Sequence, residues 1–222
     1  MKRGLGIDPQ NADLKKMNKE LEEAQRLKKV EYFVTQTQIY LKEDDPVNAF
    51  KSCDAGLRLD PENADLKRLM DRARPLYERR EKERLSTLDP KERMKEEGDR
   101  LFKDAKFEEA IKSYTRALDA ISDKSSELAL KCYSNRAACF KQLSNFDGVI
   151  ADSTSVLEHR PEDIKALVRR AQAYEACERY KSALQDVRQV LGYGPEAVGK
   201  QTYDLCNGMQ HRLNRVIAQL RG

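Results

Sequence analysis

The sequence predicts an all-α solenoid built from antiparallel helix pairs. Three observations carry this expectation. Ala137 recurs as Ala171 and Pro161 as Pro195, each 34 residues on. Small and aromatic residues keep the same order in each segment: Gly98, Ala137 and Ala171 precede Phe107, Phe146 and Tyr180, which precede Ala110, Val149 and Ala183. Prolines fall where one segment gives way to the next. A period of this length marks a repeat architecture, in which a two-helix unit buries its apolar face by stacking on its neighbours.

Residues 3–14, Arg-Gly-Leu-Gly-Ile-Asp-Pro-Gln-Asn-Ala-Asp-Leu, echo residues 55–66, Ala-Gly-Leu-Arg-Leu-Asp-Pro-Glu-Asn-Ala-Asp-Leu, at an offset of 52. On this match the chain opens on the tail of a partial repeat, as a fragment of a longer array would. A degenerate repeat is expected to start near Val30, with Tyr40, Ala49, Cys53, Gly56 and Pro61 in register and Pro46 where an aromatic would stand. A helix follows from Leu66 to the region of Leu85. It is expected to break or restart at Pro75, because proline lacks the backbone donor and its ring crowds the preceding turn. The mixed charges from Glu78 to Arg84 read as a solvated helix face. Ser86 to Pro90 is the expected hinge, which divides the chain into an N-terminal helical region, 1–86, and a three-repeat domain, 87–222.

Asp89-Pro90-Lys91-Glu92 is a helix start, with an N-cap, a proline at the first helical position and a capping-box glutamate. The first full repeat holds Gly98, Phe107, Ala110, Tyr114 and Ala117. The second begins near Leu130 and the third near Ile164. Gly98 to Ala137 spans 39 residues, and the excess falls in the polar stretch Ser122 to Glu127, where a surface loop tolerates insertion. From Tyr203 to Leu220, Leu205, Met209, Leu213 and Ile217 suggest one apolar stripe on a closing helix.

Composition narrows the function classes. The 42 basic and 38 acidic residues leave a formal net charge of +4, far from the clustered basic excess of a nucleic-acid binder. The sequence holds no apolar run of about 18 residues, so no membrane-spanning helix is expected, and Met1-Lys-Arg-Gly-Leu-Gly has no apolar signal-peptide core. Five cysteines, Cys53, Cys132, Cys139, Cys177 and Cys206, are an odd number without a CxxC pair. That pattern suits free thiols in a reducing, cytoplasmic setting. His159 and His211 have no neighbouring ligand cluster, so no metal or cofactor is expected. The sequence carries no nucleophile–base pairing and no phosphate-binding glycine loop. Glu96 and Glu97 are adjacent on a helix and point apart. A binding protein is expected, not an enzyme.

Stacked helix pairs leave a concave groove lined by the first helix of each pair. Polar residues there need a reason beyond packing. Lys95 lies three residues before Gly98, Asn135 two before Ala137, and Lys165 and Arg169 one turn apart on a shared face. Cations and an amide converging in a groove suit carboxylates: lysine as a point charge, arginine as a bidentate fork, asparagine as a donor.

These residues carry a resemblance. The 34-residue period resembles the tetratricopeptide repeat, over residues 91–197 as three consecutive repeats. Lys95-Glu-Glu-Gly98-Asp99, Tyr133-Ser-Asn135-Arg-Ala-Ala138 and Lys165-Ala-Leu-Val-Arg169-Arg170-Ala171 resemble the dicarboxylate clamp of the co-chaperone members. The resemblance implies that Lys95, Asn135, Lys165 and Arg169 hold the C-terminal Glu-Glu-Val-Asp tail of a cytosolic heat-shock chaperone of the seventy- or ninety-kilodalton class. The N-terminal repeats are then free for a second protein. The other expectation from the same repeats is a scaffold in a multiprotein assembly that binds a different peptide. One position departs: the clamp's second residue is asparagine in the family and Asp99 here. Two like charges about 4 Å apart repel by roughly 4 kcal/mol at an effective dielectric of 20. Asp99 therefore weakens the peptide, selects a different terminus, or turns away.

Overall fold

The computed structural model describes residues 12–220, and every element within them is a helix. The chain divides into two compact units between Thr87 and Leu88. Residues 3–11 of the echoing segment lie outside the described residues.

The first unit holds α1 (Ala12–Lys42), α2 (Pro46–Leu59) and α3 (Ala64–Thr87). No helix starts at Val30. Residues 21–29, Leu-Glu-Glu-Ala-Gln-Arg-Leu-Lys-Lys, are good helix formers without glycine or proline, so α1 runs through unbroken. Val30 is instead where α1 becomes buried. Phe33, Val34 and Leu41 then pack with Cys53 on α2 and Leu66, Leu69 and Met70 on α3. Asp45 caps α2 by accepting from Asn48 N at 3.1 Å. Pro46 occupies the first turn of α2 and is buried. Phe50, one turn on, stacks on Tyr77 of α3 with centroids 4.4 Å apart, which supplies the aromatic the position lacks. α3 does not break at Pro75. Pro75 and Asp71 both face solvent, so water can satisfy the carbonyl that the proline leaves without a partner.

The second unit stacks three helix pairs: α4 (Pro90–Lys103) with α5 (Phe107–Ala120), α6 (Glu127–Gln142) with α7 (Phe146–His159), and α8 (Ile164–Ala176) with α9 (Tyr180–Gly192). A one-turn helix, α10 (Pro195–Val198), leads into α11 (Lys200–Gln219), which covers α9. Each pair is joined by a three-residue turn whose middle residue is left-handed without being glycine: Ala105 (φ 57°), Ser144 (φ 55°) and Glu178 (φ 58°). Asp44 (φ 56°) does the same between α1 and α2. The next backbone N–H reaches back five residues, as from Lys106 to Leu101 O and from Asn145 to Phe140 O, both at 2.9 Å. This is the Schellman closure, which satisfies the helix's last carbonyls and turns the chain antiparallel.

Small residues set the spacing inside each pair. Ala137 and Ala171 are fully buried, as are Ala110 and Ala183. A Cβ on Gly98 would lie 2.6 Å from the Tyr114 ring, and one on Gly148 2.7 Å from the Phe140 ring. Thr37 takes the corresponding place in α1, where its hydroxyl donates to Phe33 O at 2.7 Å. Two apolar clusters result. Leu101, Tyr114, Leu118, Cys132 and Cys139 belong to the first, and Leu167, Val187, Cys206, Met209 and Leu213 to the second. On α11 Cys206 takes the core position expected of Leu205, which is exposed. Three steps of four residues turn a helix by about 120°, so Leu205 and Ile217 cannot share one face.

Candidate functional site

α4, α6 and α8 are the first helices of the three pairs and carry the five groove residues. Lys95 and Asp99 lie one turn apart on α4, Asn135 on α6, and Lys165 and Arg169 one turn apart on α8. The structure joins three of them directly. Lys95 Nζ donates to Asp99 Oδ2 at 2.6 Å, and Asn135 Nδ2 donates to Asp99 Oδ1 at 2.9 Å. Asp99 therefore does not turn away; it faces the amide and the cation of the adjoining positions.

A fourth residue completes the cluster. Tyr114 on α5 lies against Gly98, is 1% exposed, and its hydroxyl donates to Asp99 Oδ1 at 2.7 Å. Burial, then the bond to Asp99, raises its phenol well above the usual tyrosine range, so the hydroxyl keeps its proton and remains a donor.

The α8 end differs. Arg169 Nη1 donates to Ser134 O at 3.1 Å and lies 3.3 Å from Ser134 Oγ. Ser134 precedes Asn135, so this bond ties α8 to the same turn of α6. Both acceptors are neutral. Among the described residues no carboxylate lies within ion-pair distance of Arg169 or Lys165. Burial lowers the Arg169 pKa, against the opposing charge of Asp163. Lys165, one turn earlier, is exposed. The arrangement leaves a half-buried cation and an exposed one beside each other at one end, and a matched ion pair at the other.

Sequence reasoning missed the Tyr114 hydroxyl, Ser134 and two ion pairs behind the groove. Arg136 forks onto Asp152 at 2.9 and 2.7 Å and also donates to Thr115 Oγ1 at 2.8 Å. Arg170 repeats this on Asp186 at 2.9 and 2.8 Å, with Thr154 Oγ1 at 3.1 Å. The guanidiniums lie over aromatic rings, Arg136 at 5.7 Å from Tyr133 and Arg170 at 5.8 Å from Tyr174. A signal was present: both pairs are separated by 16 residues, and the second stands 34 residues after the first. The first repeat substitutes Glu97 and Ser113 at these places, and Arg116 donates to both at 3.1 Å. The depression lined by Glu97, Leu101, Lys112 and Arg116 includes none of the five groove residues. Among the described residues no cluster of three or more His, Cys, Asp or Glu could hold a metal ion, and no helix is long and apolar enough to cross a membrane.

Three 34- or 39-residue helix pairs, with small residues at each crossing and a left-handed turn within each pair, decide the fold. It is a tetratricopeptide-repeat solenoid. No family model matches the chain. The tetratricopeptide-repeat chain is 43% identical over 105 residues to sperm-associated antigen 1A of Danio rerio, a match covering 46% of this chain and 25% of that one. It is 39% identical over 107 residues to the mitochondrial import receptor subunit TOM70 of Rattus norvegicus, covering 48% of this chain and 17% of that one. The chain thus spans a quarter or less of the length of these relatives. Among solved structures, the myosin chaperone UNC-45 from C. elegans in complex with a Hsp90 peptide aligns with a TM-score of 0.53 and 30% identity. That alignment covers 60% of this chain and 14% of UNC-45.

Proposed function

We propose that this chain is a protein–protein interaction adaptor of the co-chaperone type, and that its second unit binds an acidic C-terminal tail. The tail is of the Glu-Glu-Val-Asp class carried by cytosolic heat-shock chaperones of the seventy- or ninety-kilodalton kind. One observation carries the reading: Arg169 is a half-buried guanidinium held by neutral acceptors, with Lys165 one turn away and no carboxylate paired to either among the described residues. The neighbouring Arg170 and Arg136, by contrast, each hold an aspartate. A cation kept partly out of water gains from a ligand carboxylate more than an exposed one does. The likeness to UNC-45, solved with a Hsp90 peptide, supports the same ligand class. The reading carries with it a cytoplasmic location, and it leaves the first unit to a second protein.

Calorimetric titration of the full chain with an acidic peptide ending in Glu-Glu-Val-Asp tests this. Binding is expected, weakening as salt rises. Arg169→Ala and Lys165→Ala should each abolish it. If both variants bind as tightly as the unaltered protein, the groove is not the site.

A further inference from the structure

The groove is electrically asymmetric, and Asp99 is the cause. Its carboxylate accepts three hydrogen bonds, from Lys95 on its own helix, Tyr114 on α5 and Asn135 on α6. Tyr114 locks it there. The phenol is buried to 1% exposure, so swinging Asp99 away would strand a buried hydroxyl without a partner. Gly98 holds the Tyr114 ring in place, because the ring lies where a Cβ would be. Lys95 is thereby matched one to one by a fixed anion, whereas Lys165 and Arg169 have none among the described residues. A second carboxylate arriving beside Lys95 meets an attraction and a repulsion of similar size. A neutral acceptor meets no such repulsion. Lys95 retains two N–H donors and Asn135 one, enough to hold a passing backbone carbonyl.

We propose that Asp99 is a resident carboxylate: it occupies the seat at Lys95 and Asn135 that a peptide's chain end would take. The groove then binds acidic peptide segments through Lys165 and Arg169 whether or not they end in a free carboxylate. This rests on the groove binding acidic peptides at all, and it widens the ligand class from chain ends to internal acidic segments.

The test compares two peptides of one sequence ending in Glu-Glu-Val-Asp, one with a free terminal carboxylate and one with a terminal carboxamide. Both are titrated calorimetrically into the unaltered chain and into Asp99→Asn, with circular dichroism to show that the variant is folded. The unaltered chain is expected to bind the two within about threefold. Asp99→Asn is expected to prefer the free acid by about tenfold or more. If the unaltered chain already prefers the free acid by tenfold, the resident carboxylate is refuted while the groove survives; this ratio decides even if the variant misfolds. If the unaltered chain binds neither peptide but Asp99→Asn binds the acid, Asp99 obstructs the groove, and the proposal falls. If neither protein binds either peptide, the groove itself falls, and the proposal with it.

Discussion

Removing Asp152 should unsettle the second unit more than any exposed charge could. Asp152 is 3% exposed by side chain and its partner Arg136 17%, so the pair lies almost wholly out of water. Burial works against the Arg136 charge, but the hydrogen bonds and charge of Asp152 outweigh it and raise the guanidinium pKa. For Asp152 burial prevails over Arg136 and raises the carboxyl above the usual aspartate range. The pair thus offsets most, but not all, of its own desolvation. Asp152→Ala leaves the guanidinium with Thr115 and the aromatic rings alone. Breaking a buried pair on one side costs about 3–5 kcal/mol, and the residual exposure of Arg136 puts the expectation at the lower end, about 3 kcal/mol. Arg136→Met should cost about as much, since it strands a carboxylate. The double variant Arg136→Met with Asp152→Leu should lie within about 1–2 kcal/mol of the unaltered protein, because apolar groups of similar volume incur no desolvation. Urea unfolding followed by circular dichroism measures all three. Single costs below about 1 kcal/mol, or a double cost equal to the sum of the singles, would refute the coupling. The Arg170–Asp186 pair, with 19% and 4% side-chain exposure, should repeat the pattern.

Gly98→Ala should destabilise by about 1–3 kcal/mol, since its Cβ would enter the Tyr114 ring. Gly208→Ala on α11, whose Cβ would meet nothing nearer than Arg212 at 3.9 Å, should stabilise by about 0.5–1 kcal/mol; equal melting shifts for the two would contradict the crossing geometry. Ala105→Gly should gain about 1 kcal/mol by relieving a left-handed alanine, and a lower melting temperature would count against that turn. Backbone and side-chain hydrogen bonds from Asn48 lower the Asp45 pKa in the fold. Its contribution is therefore present above about pH 4 and lost as pH falls through the lowered value. Between pH 5 and 2 the unaltered protein should lose more stability than Asp45→Asn, as measured by urea titrations at each pH.

The repeat architecture was legible because it rests on spacing within one segment. Gly98, Ala137 and Ala171, the aromatics after them and the Asp89 cap all act over a turn or two of helix. Features that depend on distant partners were not. The reach of Tyr114 over 15 residues and of Asn135 over 36 to a single carboxylate decides where Asp99 points, and local pattern says nothing about it. Pro75 misled because a helix breaker is costly where its orphaned carbonyl is buried, and here it is solvated. Leu205 misled because a stripe of four-residue steps drifts around the helix while the core stays on one side. The five groove residues were found from their order on three first helices; the difference in charge between the two ends of the groove came from the coordinates.

Every apolar cluster of this chain contains a thiol: Cys53 in the first unit, Cys132 and Cys139 behind the first two repeats, and Cys206 under the last helix. Burial pushes Cys53, Cys132 and Cys139 up to about 11 and raises Cys206. Alkylating reagents attack the thiolate, so these sulfurs stay silent until a helix lifts. Labelling rates then time the opening of each layer, with the partly exposed Cys177 as the fast reference, and the protein carries its own set of stopwatches without a single engineered residue.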